Sequence, residues 1–179
     1  MASTINASTS PTTGIITTAD SSGALALQSN GTTALTINSD ASTTLASYQT
    51  IKSLIETATI TASAPSSTTN FDVITQAVQY YTSNTANNWT LNIRGNSSTS
   101  LNTLMSTGQV ITITMIVTNS STAYYQSALQ IDGSSVTPKW QGGTAPSSGN
   151  ASALDVYTYA IVKTGSATFT VFASQTKFA

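Results

Sequence analysis

Six carboxylate and five cationic side chains make up the whole charged complement of these 179 residues, which contain neither His nor Cys. A hydroxyl nucleophile needs a base beside it. Here that base would have to be Lys52, Lys139, Lys163 or Lys177. Lys52-Ser53 and Gln175-Thr176-Lys177 do place hydroxyls near a lysine. In a chain that is roughly one-third Ser and Thr, composition alone produces such neighbours. Glycoside hydrolysis needs two facing carboxylates, drawn from Asp20, Asp40, Glu56, Asp72, Asp132 and Asp155. Asp20, Asp40 and Asp132 sit in turn-forming contexts, and Glu56 and Asp72 at the starts of elements. No pair stands out, and the chain is expected not to be an enzyme. The absence of imidazole and thiol groups also removes disulfides and most zinc or iron chemistry, so no cofactor and no metal site is expected.

The remaining functional candidates are binding residues. Trp140 lies in "PKWQGG" (138–143), where Gly142-Gly143 lets the backbone turn sharply beside it. It either stacks on a sugar ring or folds its loop onto a core, and core packing is the favoured reading. Tyr124 and Tyr125 point to opposite faces if they lie in a strand, which leaves at most one of them for binding. Trp140, Tyr124 and Tyr125 are therefore the candidate receptor or loop contacts, with a host surface glycan as the ligand. Trp89 is expected in the core, and Arg94, the lone Arg, pairs with a buried carboxylate or a neighbouring chain. Six Asn-x-Ser/Thr sequons, at Asn6, Asn30, Asn88, Asn96, Asn119 and Asn150, barely exceed what this composition yields by chance.

The elements that must position these residues are strands. Only 6% of the chain is charged and the net charge is −1, which leaves no basic stripe for nucleic acid. With 39% hydrophobic residues and abundant Thr, Val, Ile and Tyr, the chain reads as folded and all-β. Its richest apolar run, "VITITMIV" (110–117), is too short and too Thr-rich to span a bilayer. No Lys or Arg precedes Lys52, so synthesis in the cytoplasm without a signal peptide is expected.

Four segments follow from the pattern. Residues 1–22 read as an extended anchoring arm, 23–63 as a short β-rich shaft, 64–70 as a linker and 71–179 as a β-sandwich head. In the shaft, "GALALQSNGTTALTINSD" (23–40) writes one strand-and-turn unit twice, each closed by Asn30 or Asp40. A helix near 43–54 competes with a strand, because Leu45, Tyr48, Ile51 and Leu54 have helical spacing. "ETATITAS" (56–63) alternates as a strand, and "APSSTTN" (64–70) has the composition of a linker. In the head, Ser100 is a candidate helix N-cap, Asp132-Gly133 a strong turn, and 154–179 a long hairpin pivoting on Thr164-Gly165-Ser166. Turns about every ten residues indicate a jelly-roll-like antiparallel sandwich.

Leu25, Leu27, Leu35 and Ile37 are the only large apolar groups of the doubled unit. Their burial falls well short of the entropy lost in ordering eighteen residues. The unit is thus expected to fold with strands from symmetry mates, as a homotrimer with those four residues inside its shaft.

Residues 92–179 resemble the C-terminal modules of structural proteins from marine phages, especially those infecting cyanobacteria and similar ocean bacteria. "QIDGSSVTPKWQGGTAP" (130–146) and "YTYAIVKTGSATFTVFASQTKFA" (157–179) carry the likeness. "GALALQSNGTTALTIN" (23–38) is similar to short-repeat segments upstream of such modules. The resemblance implies a virion-surface protein, as a tail fibre or other appendage, whose arm contacts other virion proteins. The alternatives are a capsid decoration protein with its arm on the shell and a carbohydrate-binding module for host recognition.

Overall fold

The computed structural model describes residues 22–29, 31–39, 42–46 and 50–179. The expected arm up to residue 21, the turn residues Asn30 and Asp40, and Tyr48 lie outside the described residues. The chain divides into two units, Met1–Leu54 and Ile55–Ala179.

In the first unit, strands β1 (Leu25–Ser29), β2 (Thr32–Ile37) and β3 (Thr43–Leu45) form an antiparallel sheet in the order β1-β2-β3. The doubled sequence thus forms a hairpin within one chain. Two residues separate β1 from β2, and Gly31 among them takes a φ of 74° that a side chain would resist. The competing helix near 43–54 does not form where the chain is described: 43–45 is a strand and 50–57 has no regular structure. Thr43 and Thr44 are β-branched and lose rotamer freedom in a helix.

The second unit is a two-layer β-sandwich. A six-stranded sheet has the order β11-β13-β12-β8-β6-β4, and a four-stranded sheet the order β10-β9-β7-β5. Their strands are β4 (Ala58–Thr61), β5 (Thr68–Asp72), β6 (Val78–Asn84), β7 (Trp89–Arg94) and β8 (Val110–Thr118). There follow β9 (Gln126–Ile131), β10 (Ser134–Val136), β11 (Lys139–Trp140), β12 (Leu154–Gly165) and β13 (Thr168–Phe178). A single helical turn, α1 (Leu101–Leu104), joins β7 to β8, and Ser100 Oγ caps it by accepting from the Thr103 N–H at 2.9 Å.

From β4 to β9 the chain changes sheet at every step. The strand after next therefore returns to the same sheet in the same direction. That is why β4·β6, β6·β8, β5·β7 and β7·β9 are parallel, as β11·β13 is too. Only β9·β10, β12·β13 and β8·β12 are antiparallel in this unit. The antiparallel jelly roll expected from the turn spacing is thus corrected to a mixed sandwich. Turn spacing marks where a strand ends and is silent on which layer takes the next one.

The expected boundaries shift as well. Residues 64–70 are not a linker: Pro65 and Thr69 are buried, and Thr68–Asp72 is a strand of the four-stranded sheet. Thr69 Oγ1 donates to the Ser66 carbonyl at 3.1 Å, and the Ser67 carbonyl accepts from the Thr90 N–H at 2.9 Å. Strand β4, expected in the shaft, is the edge of the six-stranded sheet.

Period-two alternation fills the space between the layers. Phe71, Leu91, Ile93 and Leu129 come from the four-stranded sheet and Met115, Tyr159, Ile161 and Val171 from the six-stranded one. Trp89 and Tyr157 meet edge to face across the layers, with ring centroids 5.8 Å apart.

Candidate functional site

The three-stranded sheet of the first unit has one apolar face. Leu25 stands opposite Ile37, Leu27 opposite Leu35, and Leu35 opposite Leu45. Directly opposed residues share a face. All four expected shaft residues, with Leu45 added, therefore form one aliphatic surface. Ala26, Thr36 and Thr44 occupy the reverse face. Polar contacts hold the sheet at its turns: Asn38 Nδ2 donates to Ser42 Oγ at 2.9 Å and to Thr44 Oγ1 at 3.1 Å. Leu25, Leu27, Ile37 and Leu45 are exposed by 50%, 45%, 38% and 46%. A sheet with one apolar face needs a second layer to cover it. Leu45 was not singled out from the sequence, since its helical spacing with Ile51 and Leu54 masked its place in the strand register.

The structure does not bring the candidate receptor contacts together. Trp140 pairs with Ala173 in the β11·β13 bridge and so faces the layer interior, where its ring meets Tyr159 at 6.4 Å. It closes the edge of the core, in line with the favoured sequence reading. Tyr124 and Tyr125 precede β9 and are not in a strand, so strand alternation does not govern them. Tyr124 packs against the core, and the Tyr125 N–H donates to Asn88 Oδ1 at 3.0 Å.

Three of the four carboxylates of the sandwich, Asp72, Asp132 and Asp155, have structural partners, and Glu56, before β4, is exposed. Asp72 Oδ1 accepts from Arg94 Nε at 2.6 Å, an ion pair between adjacent strands β5 and β7. Asp132 accepts from the Leu101 and Asn102 N–H groups at the start of α1. Asp155, fully buried, accepts from Asn119 Nδ2 at 2.8 Å and the Asn150 N–H at 3.0 Å. Asn119 is in turn held by Thr85 Oγ1. Burial pushes the Asp155 carboxyl up from its ordinary value, against the lowering effect of those hydrogen bonds and of Lys177. Its Oδ1 has no partner among the described residues. Burial likewise raises the Tyr157 and Tyr159 hydroxyls.

Ser174 and Lys177 stand in the Ser-x-x-Lys spacing, but a strand sends residues three apart to opposite faces. Lys177 lies opposite Asp155 in the register, and Ser174 opposite Thr158. Among the described residues, no three Asp or Glu side chains gather in a group that could hold a metal ion. No helix among them is long and apolar enough to cross a membrane.

No family model, no curated protein and no solved structure matches this chain.

Proposed function

We propose that this chain is a non-enzymatic structural protein of a phage particle, assembling as a homotrimer in a tail fibre or other surface appendage, with the sandwich as its displayed head. The observation that carries the reading is the aliphatic face of Leu25, Leu27, Leu35, Ile37 and Leu45, all but the half-buried Leu35 exposed. Three such narrow one-sided sheets around a common axis enclose one dry core and leave Thr and Ala outside. The likeness of residues 92–179 to marine phage structural modules supplies the setting. In that setting the N-terminal arm contacts other virion proteins.

The test is the mass of the intact protein by light scattering. Three times the chain mass of 18.4 kDa is expected. A monomeric mass across the accessible concentration range overturns the proposal.

A further inference from the structure

The two faces of the six-stranded sheet differ in chemistry. Its inner face carries the core together with the buried Asp155 and Lys163. Its outer face carries no charged side chain on β4, β6, β8, β12 or β13; its one charge, Lys139, stands on the edge strand β11 opposite Phe172. The register places Ile60, Tyr80, Ile116 and Val156 in one row across four strands. Val110 lies opposite Val162, Ala160 opposite Phe172, and Leu154 opposite Phe178 in further rows. Thr112, Thr114, Thr158 and Thr176 fill the positions between them. Ile60 and Val110 are exposed by 68% and 58%, and Phe172 and Phe178 by half. The outer face of the four-stranded sheet is the contrast: Asn70, Asp72, Asn92 and Arg94 stand on it.

An apolar face of this extent on a folded domain marks an interaction surface. Five strands by nine residues span roughly 24 Å by 30 Å, on the order of 700 Å² per copy. A stable interface buries about 800 Å² per partner, so the face has close to the area required. The sparseness of charge, confined to Lys139 on the edge strand, favours a particular occupant. When a face meets its own copy, charges near the symmetry axis meet their own sign. Lys139, on the edge strand, lies away from an axis through the middle of the sheet, where only aliphatic, aromatic and Thr side chains stand, and face-to-face sheet packing gives this face a regular geometry.

We infer that the outer face of the six-stranded sheet packs against the same face of other copies of this chain. The inference rests on the assembly proposed above and adds a second contact to it, between heads.

The absence of native Cys allows a direct test. Thr112→Cys places a single thiol on this face at an exposed position, Val110→Cys places a second probe beside it, and Thr68→Cys places a control on the exposed edge strand of the other sheet. Maleimide labelling rates are followed against concentration, alongside the mass by light scattering. In the assembled protein, Thr112→Cys and Val110→Cys are expected to react at least tenfold more slowly than Thr68→Cys. On dilution to monomer the three rates converge. Equal rates at an oligomeric mass overturn the head contact and leave assembly through β1–β3 standing. Protection that persists in the monomer also overturns it, because the cover is then the chain's own N-terminal segment. A monomeric mass throughout overturns both proposals together.

Discussion

Asp132 and Lys163 hold opposite ends of the same helical turn, one from each sheet. Asp132, in the turn after β9, accepts from the Leu101 N–H at 2.7 Å and the Asn102 N–H at 2.9 Å. Lys163, on β12, donates from Nζ to the Asn102 carbonyl at 2.5 Å and the Met105 carbonyl at 2.8 Å. Helix α1 has only four residues, so most of its N–H and C=O groups lack a partner within it. The two charged side chains supply those partners, and the signs suit the helix ends. In doing so they tie the four-stranded and six-stranded layers together through α1.

The first prediction concerns this clamp. Lys163→Met keeps most of the buried stem and removes the ammonium. It leaves two carbonyls without a donor in a site where Lys163 is only 7% exposed. The expected loss is about 2–4 kcal/mol of unfolding free energy in urea. Asp132→Asn is milder, at about 1 kcal/mol, because Asn keeps one acceptor. Asn also tolerates the φ of 51° that Asp132 adopts in the turn. A Lys163→Met variant as stable as the parent would show that the clamp is not needed.

Gly149 has no room for a side chain. A Cβ there would collide with the Tyr124 carbonyl oxygen and lie 2.7 Å from both Asn119 Nδ2 and Asp155 Oδ2. The first of these is backbone, held in place because the Ala123 carbonyl accepts from the Gly149 N–H at 3.0 Å. Gly149→Ala is expected to lower stability by about 2–3 kcal/mol. Gly108→Ala, where nothing stands within 4 Å of a built Cβ but φ is +91°, isolates the backbone cost alone at roughly 1 kcal/mol. Equal losses for the two variants would contradict the steric account.

Asp155 sets a pH dependence with an unusual sign. Its folded pKa lies above the ordinary carboxylate value because burial disfavours the charged form. Between the two values the native state binds the proton more readily than the unfolded chain. This group's contribution to stability therefore rises as pH falls through its folded pKa, and levels off once the ordinary value is passed. Asp155→Asn removes that slope. Urea midpoints measured from neutral to mildly acidic pH should show the parent gaining stability relative to the variant as pH falls. A parent that loses stability relative to the variant on acidification would reverse the assignment.

How much of this was legible in the sequence depends on whether a feature is local. Strand β8, the long β12–β13 hairpin, the Ser100 cap and the Asp132-Gly133 turn rest on neighbouring residues and were readable. The hairpin tip was misplaced by about one residue: Ala167, at a φ of 49°, takes the strained position rather than Gly165. The segment 64–70 has the composition of a loop, yet Thr69 and Phe71 alternate inward with Asn70 outward, a pattern too short to outweigh Pro65 and the Ser-Thr run. Layer choice was not legible at all, since an arch between sheets and a hairpin within one use similar turn residues. The near-continuous apolar run of β12 did carry a usable signal. A strand apolar on both faces is one whose outer face also expects cover.

The aliphatic face of the first unit yields a prediction that separates folding from assembly. Leu27 and Leu35 are directly opposed at the centre of that face. Leu27→Asp puts a charge where copies would meet and leaves the backbone pairing of β1 with β2 intact. Among the described residues, the members of the sandwich core begin at Phe71. Leu27→Asp is therefore expected to raise the concentration at which the oligomer half-dissociates at least tenfold, with the near-UV signal of Trp89 and Tyr157 unchanged. Thr36→Asp, on the reverse face opposite Ala26 and Thr44, is the matched control and should leave the mass as it was. If both substitutions shift the mass alike, the effect belongs to charge on the sheet and not to the face. If neither does, Leu25, Leu27, Leu35, Ile37 and Leu45 are not what joins the copies.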